Sequence, residues 1–215
     1  MAEKSKYVVA LDTIQAKVHG FLKPRGFRKK GRTFNREAPE KGIFQVIHFQ
    51  SGPFPIGENY EIPGFRENLY GKFTVNIGVL VKELYESEVW RKRTDFYQEM
   101  HCNARTRLPV LLQGKDVWWS LDGNLDAITD EVVLGLNSIG FEYFEMYDTR
   151  EKFIENFGKF KDAPPRAKLD VALVVMHQDR IAGETLLKEY FADIAQKGHK
   201  EYVRGLAERL GVVLN

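Results

Sequence analysis

One cysteine, Cys102, is all that the chain contains. A single thiol closes no intrachain disulfide, which excludes a disulfide-stapled secreted scaffold and suits a reducing compartment. Long apolar runs are also missing. None approaches the roughly 20 residues that a bilayer-spanning helix needs. The leading Met1-Ala2-Glu3-Lys4-Ser5-Lys6 enters a helical pattern without the apolar core or small-residue cleavage site of a signal peptide. The expected compartment is the cytoplasm, with no membrane association. Charge of one sign is lacking too, since 32 Lys and Arg face 30 Asp and Glu for a net charge of +2. That balance argues against a polyanion binder driven by whole-molecule electrostatics.

The chain lacks the phosphate-cradling Gly-x-x-x-x-Gly-Lys-Ser/Thr loop, the dinucleotide-binding Gly-x-Gly-x-x-Gly and the hydrolase elbow Gly-x-Ser-x-Gly. Their absence removes the commonest nucleotide and hydrolase chemistries. The 5 histidines are His19, His48, His101, His177 and His199, and none is four residues from another. The adjacent pair His101-Cys102 is poor geometry for two ligands on one ion. No metal and no cofactor are expected. Nothing in the sequence supplies Cys102 with the base that a nucleophile needs. Asp122, Asp126, Asp130 and Glu131 fall where a helix begins, and the helix dipole accounts for acids there.

What is present is an ordinary globular composition in 215 residues, 43% hydrophobic and rich in aromatics, with 15 Phe. Tyr7, Leu11, Ile14, Val18 and Phe21 are spaced for one stripe of a helix, with Asp12, Gln15 and Lys17 facing away. Pro24 and Gly26 end that helix. Arg28 to Arg36 reads as a short polar strand or hairpin turning near Gly31. Ile43 to Ser51 is apolar on both faces, as a central strand is, and Gly52-Pro53-Phe54-Pro55 stops it. Residues 56–68 read as a long loop. Phe73, Val75, Ile77, Val79 and Val81 alternate with Thr74, Asn76, Gly78 and Leu80, the clearest strand in the chain. Ala104 to Leu112 and Asp116 to Leu121 read as two more strands, the second placing one of Trp118 and Trp119 in the core.

From Asn124 the period becomes helical. Leu125, Ile128, Val132, Leu136 and Ile139 form a stripe with Asn124 as N-cap and Gly140 as stop. Thr149 caps a helix carrying Phe153, Ile154 and Phe157, and Pro164-Pro165 opens a third over 166–178. Two more follow around Leu187 and Leu206, with Gly198 between them. One helix, about five strands and then about five helices predict an α+β fold built on an antiparallel β-sheet. The expected organisation is a sheet domain over 1–160 and a C-terminal helical segment over 161–215 packed on the same core.

Several of these segments resemble a bacterial domain-of-unknown-function family, number 4304. They are the N-terminal helix, Gly26-Phe27, Lys29-Lys30-Gly31-Arg32-Thr33-Phe34, Val46-Ile47-His48-Phe49-Gln50 and Phe73-Thr74-Val75-Asn76-Ile77-Gly78. The resemblance covers roughly residues 8–125. It implies an α+β fold and a bacterial cytoplasmic origin, and it carries no catalytic residues.

Two constellations are candidates for function. Lys23, Arg25, Arg28, Lys29, Lys30, Arg32 and Arg36 fall in a segment free of Asp and Glu. Arg28, Lys29, Lys30 and Arg32 could neutralise phosphates, with Phe27 and Phe34 as stacking faces; the plainer account is a solvated edge strand. His48 and Gln50 share one face of their strand, and Asn76 and Thr74 lie on the less apolar face of theirs. In the right register the four line one polar patch for a small polar ligand or a partner; the plainer account is internal hydrogen bonding. The leading expectation is a non-enzymatic protein-binding factor, immunity-like or accessory, whose partner is another bacterial protein. The alternatives are nucleic-acid or phosphate binding through residues 23–36, and an enzyme with a polar site on the sheet.

Overall fold

The computed structural model describes residues 4–54, 61–62, 67–157 and 167–214. Most of the loop expected over 56–68, and the expected boundary near 159–165, lie outside the described residues.

Helix α1 spans Lys6–Leu22, and the Ser5 hydroxyl caps it by accepting from the Tyr7 N–H. Leu11, Ile14, Val18 and Leu22 are fully buried. Gln15 does not face away: it is buried with them, and its amide nitrogen finds no partner among the described residues. The chain leaves α1 through a single 3-10 turn, Lys23–Arg25, and reverses at Gly26, whose φ of 83° is the left-handed conformation that a side chain disfavours.

The sheet comprises β1 (Arg28–Lys30), β2 (Thr33–Glu37), β3 (Ile43–Ser51), β4 (Lys72–Val81), β5 (Ala104–Arg107) and β6 (Trp119–Ser120). Strands β1 to β5 lie side by side in chain order, every pairing antiparallel, and β6 pairs with β4. This is the α+β antiparallel architecture that the sequence predicts. Two strands are shorter than expected. The run Ala104 to Leu112 is a strand only to Arg107; from Leu108 it is α3 (Leu108–Gln113), with Pro109 in the first turn. Proline is preorganised for that position and cannot donate to a sheet. Of Asp116 to Leu121 only Trp119 and Ser120 pair. Trp119 is buried on Phe73, ring centroids 5.4 Å apart, and Trp118 is half-buried.

Both faces of the central strands are covered, which explains why Ile43 to Ser51 is apolar without alternation. Ile43, Ile47, Phe49, Phe73, Val75, Ile77, Val79 and Val81 join α1 in the large core, with Val132 and Leu136. Leu169, Val174, Leu187, Val203 and Leu206 of the C-terminal helices belong to that same core. On the second face Phe44, Val46 and Leu80 pack with Tyr85, Tyr97 and Cys102. This cover comes from a helix absent from the sequence reading, α2 (Lys82–Glu86), and from the chain that follows it. The approach is close: a Cβ on Gly78 would lie 2.7 Å from the Cys102 Cβ.

Helix α4 (Leu125–Gly135) is capped by Asn124, whose Oδ1 accepts from the Asp126 and Ala127 N–H groups. Gly140 does not stop it. The chain passes through a wider turn over Leu136–Gly140, with Ser138 at φ −94° and ψ −106°, straight into α5 (Phe141–Glu145). Then come α6 (Arg150–Asn156, capped by Thr149), α7 (Ala167–Gln178), α8 (Arg180–Asp193) and α9 (Lys197–Arg209). Gly198 lies inside α9, so the break between α8 and α9 comes earlier than Gly198.

Arg150 ties the layers together. It is 8% exposed and grips Glu83 of α2 with both Nε (2.6 Å) and Nη2 (2.9 Å). Its Nη1 donates to Glu40 Oε1 (2.5 Å) and to the Lys41 carbonyl (3.0 Å), in the turn joining β2 to β3. Gly42 leaves room for the guanidinium, since a Cβ there would lie 2.7 Å from Nη2.

Candidate functional site

The register of the sheet brings the predicted polar residues together. His48 lies opposite Asn76, and Gln50 opposite Thr74. Directly opposed residues share a face, so all four sit on the second face, beyond the apolar cover of Phe44, Val46 and Leu80. Lys30 opposes Thr33, Thr33 opposes His48, and Asn76 opposes Arg107. Lys30, Thr33, His48, Asn76 and Arg107 therefore form one polar row across five strands. Thr33 and Arg107 were not among the candidates read from the sequence, nor was Gln98, which meets Thr33 from the chain after α2.

Hydrogen bonds fix which way each polar group points. Arg107 donates from Nε to Asn76 Oδ1 at 3.2 Å, and Asn76 Nδ2 donates to Gln50 Oε1 at 2.9 Å. A guanidinium can only donate, so it forces Asn76 to turn its oxygen inward and its NH2 toward Gln50. Gln50 must then answer with its own oxygen, and its Nε2 hydrogens have no partner among the described residues. Asp116 pairs with Arg107, and the Trp118 ring lies 5.3 Å from its guanidinium carbon.

A second chain runs from the other side. The Gln98 side chain accepts from the His101 backbone N–H, while the Gln98 N–H donates to His101 Nδ1 at 3.2 Å. The Thr33 hydroxyl donates to Gln98 Oε1 at 2.6 Å and touches His48 Nδ1 at 3.0 Å. Its one proton is spent on Gln98, so His48 Nδ1 carries hydrogen and donates to Thr33. His48 Nε2 is left as an acceptor with no partner among the described residues. Burial, and then the charge of Arg32, push the His48 pKa below its ordinary value, which favours this neutral imidazole. Thr74 is fully buried and its hydroxyl has no hydrogen-bond partner among the described residues. Nearby, burial raises the Glu99 pKa against the opposing charges of Arg105 and Arg107.

The basic segment does not form one surface. Arg28 and Lys30 share the second face with Thr33, while Lys29 turns to the other side, its Nζ 5.8 Å from the centroid of the Phe34 ring. Arg28 pairs with Asp95 at 2.9 Å. Arg36 is held by Gln45 at 2.7 Å and lies over Phe27, and Arg25 lies over Phe21. Arg32 donates to the Ser51 hydroxyl. Phe27 and Phe34, the expected stacking faces, are both buried. Lys30 and Arg32 remain closest to the polar row.

Among the described residues, no group of three His, Cys, Asp or Glu side chains is placed to hold a metal ion. Cys102 is buried, which pushes its thiol pKa well up and keeps it from being a thiolate.

Residues 64–145 match the family model of a domain of unknown function (DUF4304). The matched segment contains Thr74, Asn76, Gln98 and Arg107. The resemblance in the sequence spans roughly 8–125, and the front motifs, with Lys30, Thr33, His48 and Gln50, lie ahead of the match. No curated protein and no solved structure matches the chain.

Proposed function

We propose that the protein is a non-catalytic binding protein that receives a protein partner on the second face of its sheet. The observation that carries this reading is the oriented polar row. This half of the face offers side chains whose directions are set by neighbours that can only donate or only accept. Preorganised polar groups of this kind favour binding because their ordering cost is met in the free protein. Enzymatic use of His48 has less support, since the hydroxyl that it touches, Thr33, is buried and already donates to Gln98. Nucleic-acid binding through Arg28, Lys29, Lys30 and Arg32 also has less support, because these residues point to different faces and Arg28 is paired with Asp95.

The test is a photo-crosslinking residue placed in the full chain at Lys30 or Arg105, the exposed margins of the face, with Ile181 of α8 as the distant control. After irradiation in the source cells, one protein adduct of defined mass is expected from both margins and not from Ile181. Adducts to nucleic acid, adducts equally frequent at Ile181, or none at all would refute the reading.

A further inference from the structure

The unused groups of the polar row form a pattern. Gln50 offers an N–H donor and His48 offers a bare nitrogen acceptor, two positions apart on β3 and on the same face. Alternate residues of a strand are spaced by about 7 Å. An extended peptide laid against them repeats on the same spacing and shows its N–H and C=O groups along one edge. The pattern is therefore complementary to extended backbone, whereas a carboxylate would meet the lone pair of His48 and an ammonium would meet the N–H of Gln50.

Charge adds a second requirement. Three arginines of the face each have an acid: Arg28 pairs with Asp95, Arg105 with Glu99 at 3.6 Å, and Arg107 with Asp116. Lys30 and Arg32 have no carboxylate within ion-pair distance among the described residues. Among the described residues Arg32 donates only to the Ser51 hydroxyl, a partner that carries no charge. The buried and unpaired Thr74 hydroxyl opposite Gln50 marks the same spot, since native proteins leave few such groups unsatisfied.

Resting on the binding-protein reading, we infer that the occupant is an extended segment of the partner, which accepts from Gln50 Nε2–H through a backbone carbonyl, donates a backbone N–H to His48 Nε2, and brings an acidic side chain to Lys30 and Arg32. Side-chain hydrogen bonds to a peptide main chain suit any extended sequence, and the acidic side chain supplies selectivity.

The test uses the full chain against a phage-displayed library of short random peptides. Peptides carrying Asp or Glu are expected to be enriched. For a synthetic peptide from that set, N-methylation of a single backbone amide is expected to weaken binding by about tenfold or more. Gln50→Glu, which keeps the acceptor for Asn76 but turns an acceptor toward the peptide carbonyl, is expected to weaken it by a similar factor. His48→Phe provides a second variant should Gln50→Glu not fold. Lys30→Ala with Arg32→Ala is expected to abolish the preference for acidic peptides. No enrichment, binding indifferent to Gln50→Glu and His48→Phe, or binding of acetamide or an RNA oligonucleotide in place of any peptide would each overturn the inference. If no peptide binds while Lys30 and Arg105 still crosslink to a protein, the binding-protein reading stands and the extended segment is refuted. If neither result appears, both fall.

Discussion

Arg150→Ala is expected to cost about 3 kcal/mol of stability, and the structure sets that size. The Arg150 side chain is 10% exposed, and the Glu83 side chain that it grips is 17% exposed. Removing one member of a buried pair typically costs about 3–5 kcal/mol because the other charge is left uncompensated. Glu40, at 32% exposure, can recover water, which places the estimate at the lower end of that range. Against a total stability of about 5–15 kcal/mol for a typical domain, the loss is large. Arg150→Lys keeps the charge but not the planar fork, and so is expected to fall between wild type and alanine. Replacing Arg150 and Glu83 together by Met and Leu is expected to restore much of the loss, since no buried charge is then stranded. The assay is urea unfolding followed by tryptophan fluorescence, with the midpoint compared at constant slope. A stability for Arg150→Ala, from midpoint and slope, within about 1 kcal/mol of wild type would refute the reasoning and mean that the clamp is a surface contact.

Three further outcomes follow from the same contacts. The His48 pKa is depressed in the folded state, as is that of His101, by burial and then by Arg91. The unfolded chain therefore binds more protons below about pH 6.5, and stability is full above that value and falls as pH drops through the folded-state values. His48→Gln is expected to flatten this slope in thermal unfolding measured from pH 7 to pH 5; an unchanged slope would place the titration elsewhere. Gly78→Ala forces a methyl group against Cys102 at 2.7 Å and the Ala104 carbonyl at 3.2 Å, so it is expected to cost about 1–3 kcal/mol in the same urea assay. Cys102 is expected to resist a thiol reagent such as dithionitrobenzoate until the chain unfolds, and reaction of the native protein at the rate of free cysteine would contradict its burial.

Much of the architecture is legible in the residues. The alternation from Phe73 to Val81 specifies a strand, and the stripe from Leu11 to Val18 specifies the helix that covers it. The errors share a cause, which is that local pattern does not report tertiary contact. Leu108-Pro109-Val110-Leu111-Leu112 is an apolar run that suits a buried strand as well as a short helix, and Pro109 was the one local sign of the helix. Gly140 has the composition of a helix stop, yet its φ is −66°, an ordinary helical value, because the chain continues through the wide turn. The polar site was half readable. The face of His48 and Gln50 follows from strand periodicity, and so does that of Asn76 and Thr74. That His48 meets Asn76, and that Thr33, Gln98 and Arg107 orient them, depends on register, which is set by turns and packing far along the chain.

The orientation of His48 is the point on which the binding face depends, and nitrogen-15 NMR of the imidazole reads it directly. In the free protein at neutral pH, His48 is expected to show a protonated Nδ1 and an unprotonated Nε2, with Thr33→Val disturbing that tautomer. A His48 protonated at Nε2, or titrating as an exposed histidine would, contradicts the account.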